Sequence, residues 1–151
     1  MVRRKSAGIS PVVATVILVA VAIVIAIAVA FWASGLVGIF TRFERVEIVS
    51  AIQTGGNQFQ VILRNTGSAD TALIQVVVNG RAVGTPSTPY SLGPGQTRTC
   101  TVTVTPPPPP GVTVEIIFSS SGGKQYPTAL LATQGTGAAP WNPTSATLSC
   151  T

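Results

Sequence analysis

Residues 16–33 read VILVAVAIVIAIAVAFWA, eighteen apolar side chains in succession. An unbroken apolar run of this length meets the requirement for a helix that crosses a bilayer. It is apolar around its whole circumference, so it does not fit a surface helix with one wet face. Val, Ile and Ala dominate it. β-branched residues lower helix propensity in water, but in lipid every backbone polar group must be satisfied within the segment, and helix is the only realistic form. No charge occurs from Gly8 to Thr41. A helix from Ile9 to Phe40 would be about 48 Å long at ~1.5 Å per residue, against a hydrocarbon core of about 30 Å. The excess requires tilt, an earlier stop, or a cover other than lipid.

Around this run the composition is unusual. Charged residues make up 9% of the 151, apolar residues 46%. A soluble domain carries roughly 25% charged residues, and a disordered chain is poor in apolar ones, so neither class fits. There is no histidine, and there are only two cysteines. That excludes a Ser-His-Asp triad, a Cys-His dyad, any zinc site with a His ligand and any four-Cys site. The expectation is a protein that is not an enzyme and carries no cofactor and no metal. The formal charge of +5 rests largely on Arg3, Arg4 and Lys5. The other cations, Arg42, Arg45, Arg64, Arg81, Arg98 and Lys124, are scattered and form no basic stripe, so no specific nucleic-acid partner is expected.

The flanks orient the apolar run. Arg3, Arg4 and Lys5 hold the N-terminal side in the cytoplasm and place the rest of the chain outside. Phe31, Trp32, Phe40 and Phe43 gather at the far end, as an interfacial aromatic belt or as helix packing. Three readings compete. Ala28-Val29-Ala30 before Phe31 has the small-x-small form of an ordinary secretory cleavage site, but the apolar region exceeds the 7–15 residues typical of such signals. A permanent single-pass anchor is the second. The third is a prepilin-type signal, cut ahead of the apolar run so that the helix stays in the mature protein.

The residues at the head of the run bear on this choice. Arg3-Arg4-Lys5-Ser6-Ala7-Gly8, followed by Ile9-Ser10-Pro11-Val12-Val13-Ala14-Thr15, resembles the class III signal peptide and ISPVVA-type N-terminus of archaeal type IV pilins. The resemblance covers roughly residues 3–33. It implies cleavage between Gly8 and Ile9 by a prepilin peptidase, which makes residues 1–8 a leader and 9–42 a helix that serves first in the membrane and then in a filament core. Pro11 would stand in the first turn, where its missing N–H costs nothing. Bacterial relatives carry a glutamate at the fifth mature position; here it is Val13, and the nearest acid is Glu44. Helix register would then come from shape and from the small residues Ala20, Ala22, Ala26, Ala28, Ala30, Ala33, Gly35 and Gly38.

Beyond Arg42 the pattern changes to short alternating segments, with 11 of the 12 prolines. Residues 43–49 either extend the helix or begin the first strand. Strands are expected at 58–64, where Phe59, Val61 and Leu63 share a face, and at 72–78, which Asn79-Gly80 turns into 81–83. Further strands are expected at 96–105, 112–118 and 125–133, with turns at Asn65-Thr66-Gly67 and 92–95 and a loop at 119–123. This spacing argues for an antiparallel immunoglobulin-like β-sandwich over residues 43–151. The fold class is thus α+β, a long hydrophobic N-terminal helix followed by a sandwich.

Five consecutive prolines, residues 106–110, must be extended as polyproline II over roughly 15 Å. They read as a ligand for a proline-binding domain or as a stiff connection between strands. Cys100 and Cys150 would pair in an oxidising exterior and tie a loose tail, residues 133–151, onto the sheet; two free thiols is the alternative. Asn142-Pro143-Thr144 is barred from N-glycosylation by its proline, and Gly122-Gly123-Lys124 lacks the rest of a phosphate loop. Glu44 and Glu47 would share a face if the helix continued through them.

Together these features lead to one expectation: a structural subunit of an extracellular pilus, made as a membrane precursor and polymerised through its apolar helix, for surface adhesion or cell contact. The resemblance implies as partners other copies of the chain, a prepilin peptidase, and an assembly ATPase with its membrane platform. The alternative is a single-pass membrane-anchored surface protein whose sandwich binds sugar or another protein.

Overall fold

A computed structural model of the chain describes residues 10–35 and 41–151. It divides into two compact units between Thr41 and Arg42.

The first unit holds helix α1, Pro11–Ala33. Ser10 stands before it in an extended conformation, and Pro11 occupies the first turn, as its fixed φ and missing N–H favour. The helix spans about 34 Å at ~1.5 Å per residue. It ends where Ser34 donates to the Ala30 carbonyl and Gly35 takes a φ of 81°, a left-handed conformation that closes helices. Composition alone runs the apolar segment on towards Arg42; the helix itself closes at Ala33, which brings it near the thickness of a hydrocarbon core. Residues 36–40 lie outside the described residues.

The second unit is an antiparallel β-sandwich. One sheet has the order β1-β2-β6-β9, formed by Val46–Gly55, Gln58–Asn65, Thr97–Thr105 and Ser145–Cys150. The other has the order β4-β3-β7-β8, formed by Ala82–Gly84, Thr71–Val78, Thr113–Ser120 and Gln125–Leu131, with the short β5, Tyr90–Leu92, sharing the free edge of β3. The arrangement β1-β2-β6 facing β3-β7-β8 is that of strands A-B-E facing C-F-G in immunoglobulin domains. Here the C-terminal strand β9 extends the first sheet beyond β6.

Alternation decides the core. Phe59, Val61 and Leu63 of β2 point inward, with Cys100, Val102 and Val104 of β6 and Ala146, Leu148 and Cys150 of β9. They meet Leu73, Val76 and Val78 of β3 and Val114, Ile116 and Phe118 of β7. The inward phase of β3 changes midway, because a register irregularity between Leu73 and Gln75 moves it by one residue and leaves Ile74 40% exposed. A second irregularity between Ile48 and Ser50 moves the inward phase of β1 from Val46 and Ile48 to Ala51, and Val49 stays exposed.

Several sequence expectations change. Of the two alternatives for residues 43–49 the structure takes the strand, since β1 begins at Val46. Glu44 therefore lies ahead of β1 and Glu47 within it, opposite Arg64 across the ladder, and the two acids share no helix face. The tail is not loose, since it contains β9. The strand expected through Thr133 ends at Leu131.

Candidate functional site: an uncovered apolar helix and a braced head

No residue of α1 is buried. Val13, Val19 and Ile27 are 50%, 54% and 51% exposed and Trp32 74%, so the uncovered surface extends along the whole helix. Thr15 is its one hydroxyl-bearing residue, and its Oγ1 donates to the Val12 carbonyl at 2.8 Å. The donor of this hydroxyl is thereby satisfied inside the helix. α1 is long and apolar enough to cross a membrane. At 100° per residue Ala22, Ala26, Ala30 and Ala33 fall on one side of it. Such a stripe lets another helix backbone approach closely. Phe31 and Trp32 lie exposed in its last turn. Arg3, Arg4, Lys5, Gly8 and Ile9, the leader charges and the expected processing site, lie outside the described residues, as does Phe40.

The head begins at a grip on residues 43–45. The Phe43 carbonyl accepts from the Ser68 and Ala69 N–H groups at 3.0 and 3.1 Å, and the Arg45 carbonyl from Thr66 and Gly67 at 2.9 and 3.1 Å. Lys124 Nζ donates to the Glu44 carbonyl at 2.5 Å, and the Thr71 hydroxyl donates to the Glu44 carboxylate. The loop that grips these residues is shaped by Asn65, fully buried and fully used. Its Nδ2 donates to the Ala69 and Leu92 carbonyls at 2.8 Å each, and its Oδ1 accepts from Gly67 at 2.9 Å. Gly67 is required there, because a Cβ would lie 2.6 Å from the Arg45 nitrogen.

At the far end of the chain two devices hold the tail. Cys100 and Cys150 form a disulfide, and there is no free cysteine. Gln53 of β1 clamps the start of the tail: its Oε1 accepts from the Thr133 and Gln134 N–H groups at 2.7 and 3.0 Å, and its Nε2 donates to the Gln134 carbonyl. The prolines complete the brace. Pro108 and Pro109 are buried, and Gly135 and Gly137 lie so close to the Pro108 and Pro107 carbonyls that neither glycine can carry a side chain without displacement. The proline run is thus a connection packed beneath the tail. Gln53 was invisible to sequence reading, since its partners lie 80 residues away.

Among the described residues no group of three or more His, Cys, Asp or Glu is placed to hold a metal ion. Glu44, Glu47, Asp70 and Glu115 contribute no such cluster. Gly122-Gly123-Lys124 forms the β7–β8 turn, with Gly123 at a φ of 79°, and its lysine serves the grip on Glu44.

No family model and no curated protein matches the chain. Among solved structures it is similar to the archaellum periplasmic stator protein FlaG from Sulfolobus acidocaldarius, at 17% identity and a TM-score of 0.48, over 58% of this chain and 100% of that one. A likeness of that degree carries no inference about what this chain does.

Proposed function

We propose that the chain is a non-enzymatic structural subunit of an extracellular type IV pilus, held in the membrane as a precursor and polymerised through α1 after removal of residues 1–8. The observation that carries this reading is the wholly uncovered apolar surface of α1, in a chain whose head has its own core. At roughly 1.5–3 kcal/mol per large apolar side chain, leaving such a surface in water costs on the order of tens of kcal/mol. It needs lipid or other helices, and a filament core supplies the second once the leader charges are gone. The string from Arg3 to Thr15 supports the same reading.

The steps follow from the residues. Arg3, Arg4 and Lys5 keep the N-terminus inside while the head is exported. Cleavage between Gly8 and Ile9 by a prepilin peptidase removes them. α1 then moves from lipid into a bundle of copies, with Ala22, Ala26, Ala30 and Ala33 at the close approach. Lipid contacts are exchanged for protein contacts, so the gain is packing and not removal from water; an ATP-driven assembly machine at the membrane supplies the work. The grip on residues 43–45 ties the head to the segment leading from α1, and the heads coat the outside for adhesion or cell contact. Negative-stain microscopy of material sheared from cells tests this. Filaments labelled by antibody to the head support it; a head found only on membranes, with no polymer, supports the single-pass anchored protein instead.

A further inference from the structure

The turn after β3 and the connection into β9 enclose an open cleft of about 270 Å³ lined by Arg81, Pro140, Trp141 and Asn142. Arg81 is exposed, and its Nη1 donates to Asn142 Oδ1 at 3.1 Å. A guanidinium carries five N–H donors, and no ion pair engages the others among the described residues. Asn142 spends its acceptor on Arg81 and keeps its amide N–H groups. Trp141 is half-buried and packed against the core, and its Nε1 donates to the Pro106 carbonyl at 2.9 Å. With that N–H satisfied, the indole offers the cleft an apolar ring, beside the ring of Pro140. One part of the wall therefore presents N–H donors left over after the Arg81–Asn142 bond, and the other is flat and apolar.

We propose that this cleft binds a carboxylated sugar residue of an acidic polysaccharide. The carboxylate meets the Arg81 guanidinium, whose planar fork suits it, with the Asn142 amide beside it. The C–H face of the sugar ring lies on Trp141 and Pro140, as apolar faces do on indole. The volume falls below the 300–1,000 Å³ of ordinary small-molecule sites, so a single ring binds weakly. The walls are held in advance by the bonds of Trp141 and Arg81, which lowers the cost of ordering them. Resting on the filament reading, one cleft per subunit turns weak single contacts into avidity along a polymer.

The test uses filaments from cells and, separately, the full chain in detergent. Filaments are passed over beads carrying polygalacturonate or uncharged dextran; the chain in detergent is titrated with galacturonate while the Trp141 indole N–H resonance is followed. Retention on polygalacturonate and not on dextran is expected, with a shift of that resonance. Arg81→Gln and Trp141→Leu should each lower retention by about tenfold or more. Arg64→Gln removes the same charge elsewhere and should leave it unchanged. Melting and an intact Cys100–Cys150 bond confirm that each variant is folded. The proposal is overturned if wild type is not retained or if Arg64→Gln loses as much as Arg81→Gln. It is likewise overturned if Arg81→Gln only weakens contacts between copies while polysaccharide is ignored. Absence of polymer in the microscope counts against the filament reading alone, because the titration in detergent reports on the cleft without it.

Discussion

Cys100 and Cys150 stand directly opposite each other on β6 and β9, with Cα atoms 4.0 Å apart and their sulfurs joined. Beside them Thr99 and Thr151 exchange both backbone bonds, at 3.1 and 2.9 Å. The cysteines therefore occupy the adjacent non-hydrogen-bonded position, where facing side chains come closest. The bond closes a separation of 50 residues and fastens the last strand to the sheet. In the chain-entropy model such a loop is worth about 4 kcal/mol. Replacing both cysteines by Ala should lower the stability of the head by about 2–5 kcal/mol, read as a lower denaturant midpoint, with early exchange of the β9 amides.

Gln53 holds the tail by bonds from one side chain to two N–H groups and a carbonyl. Gln53→Ala leaves those groups without their partner. The bonds are exposed and water can take the place of the lost side chain, so a loss of about 0.5–1.5 kcal/mol is expected, together with faster proteolysis between residues 133 and 144, measured by mass spectrometry of timed digests. Unchanged digestion would mean that the prolines and glycines brace the tail unaided.

The grip on residues 43–45 depends on Gly67. Gly67→Ala drives a methyl group against the Arg45 backbone, and about 1–3 kcal/mol of destabilisation is expected. Lys124→Met should cost less, since it removes one bond from an exposed side chain. Hydrogen exchange at Thr66, Gly67, Ser68 and Ala69 checks both: those amides should exchange first in Gly67→Ala and remain protected in Lys124→Met.

Tyr126 supplies a pH dependence. Its hydroxyl is buried near the Val46 backbone and the Ser120 hydroxyl but makes no hydrogen bond of good geometry to either. Burial, and next the Glu44 carboxylate, hold the phenol above its ordinary value of 10.0, against weaker opposing effects of the Val46 backbone and the Ser120 hydroxyl. A group raised in the folded state contributes stability that is whole below its unfolded pKa and is lost as pH rises through the folded one. Wild type should therefore lose stability above about pH 10 more steeply than Tyr126→Phe. At neutral pH the Phe variant should be equal or more stable, because it removes an unsatisfied buried hydroxyl. Melting curves from about pH 7 to 11 decide this.

The apolar helix and most of the sandwich were legible because period alone reveals them. Residues 16–33 admit no wet face, and Phe59, Val61 and Leu63 alternate without interruption. β5 and β9 were not legible. β5 is three residues long, too short to show a period, and β9 is six residues long, so its alternation of Ala146, Leu148 and Cys150 with Ser and Thr is submerged in the Gly-, Pro- and Thr-rich stretch before it. The bulges in β1 and β3 exist only against partner strands. The helix could be read as the functional element because its signal is local. The Gln53 clamp and the Arg81–Trp141 cleft could not, since each brings together residues far apart in the chain.

The most direct test of the central claim is the N-terminal sequence of the protein recovered from purified surface filaments. The account predicts a chain beginning at Ile9, with α1 retained. A chain beginning at Met1 or at Phe31 would contradict it.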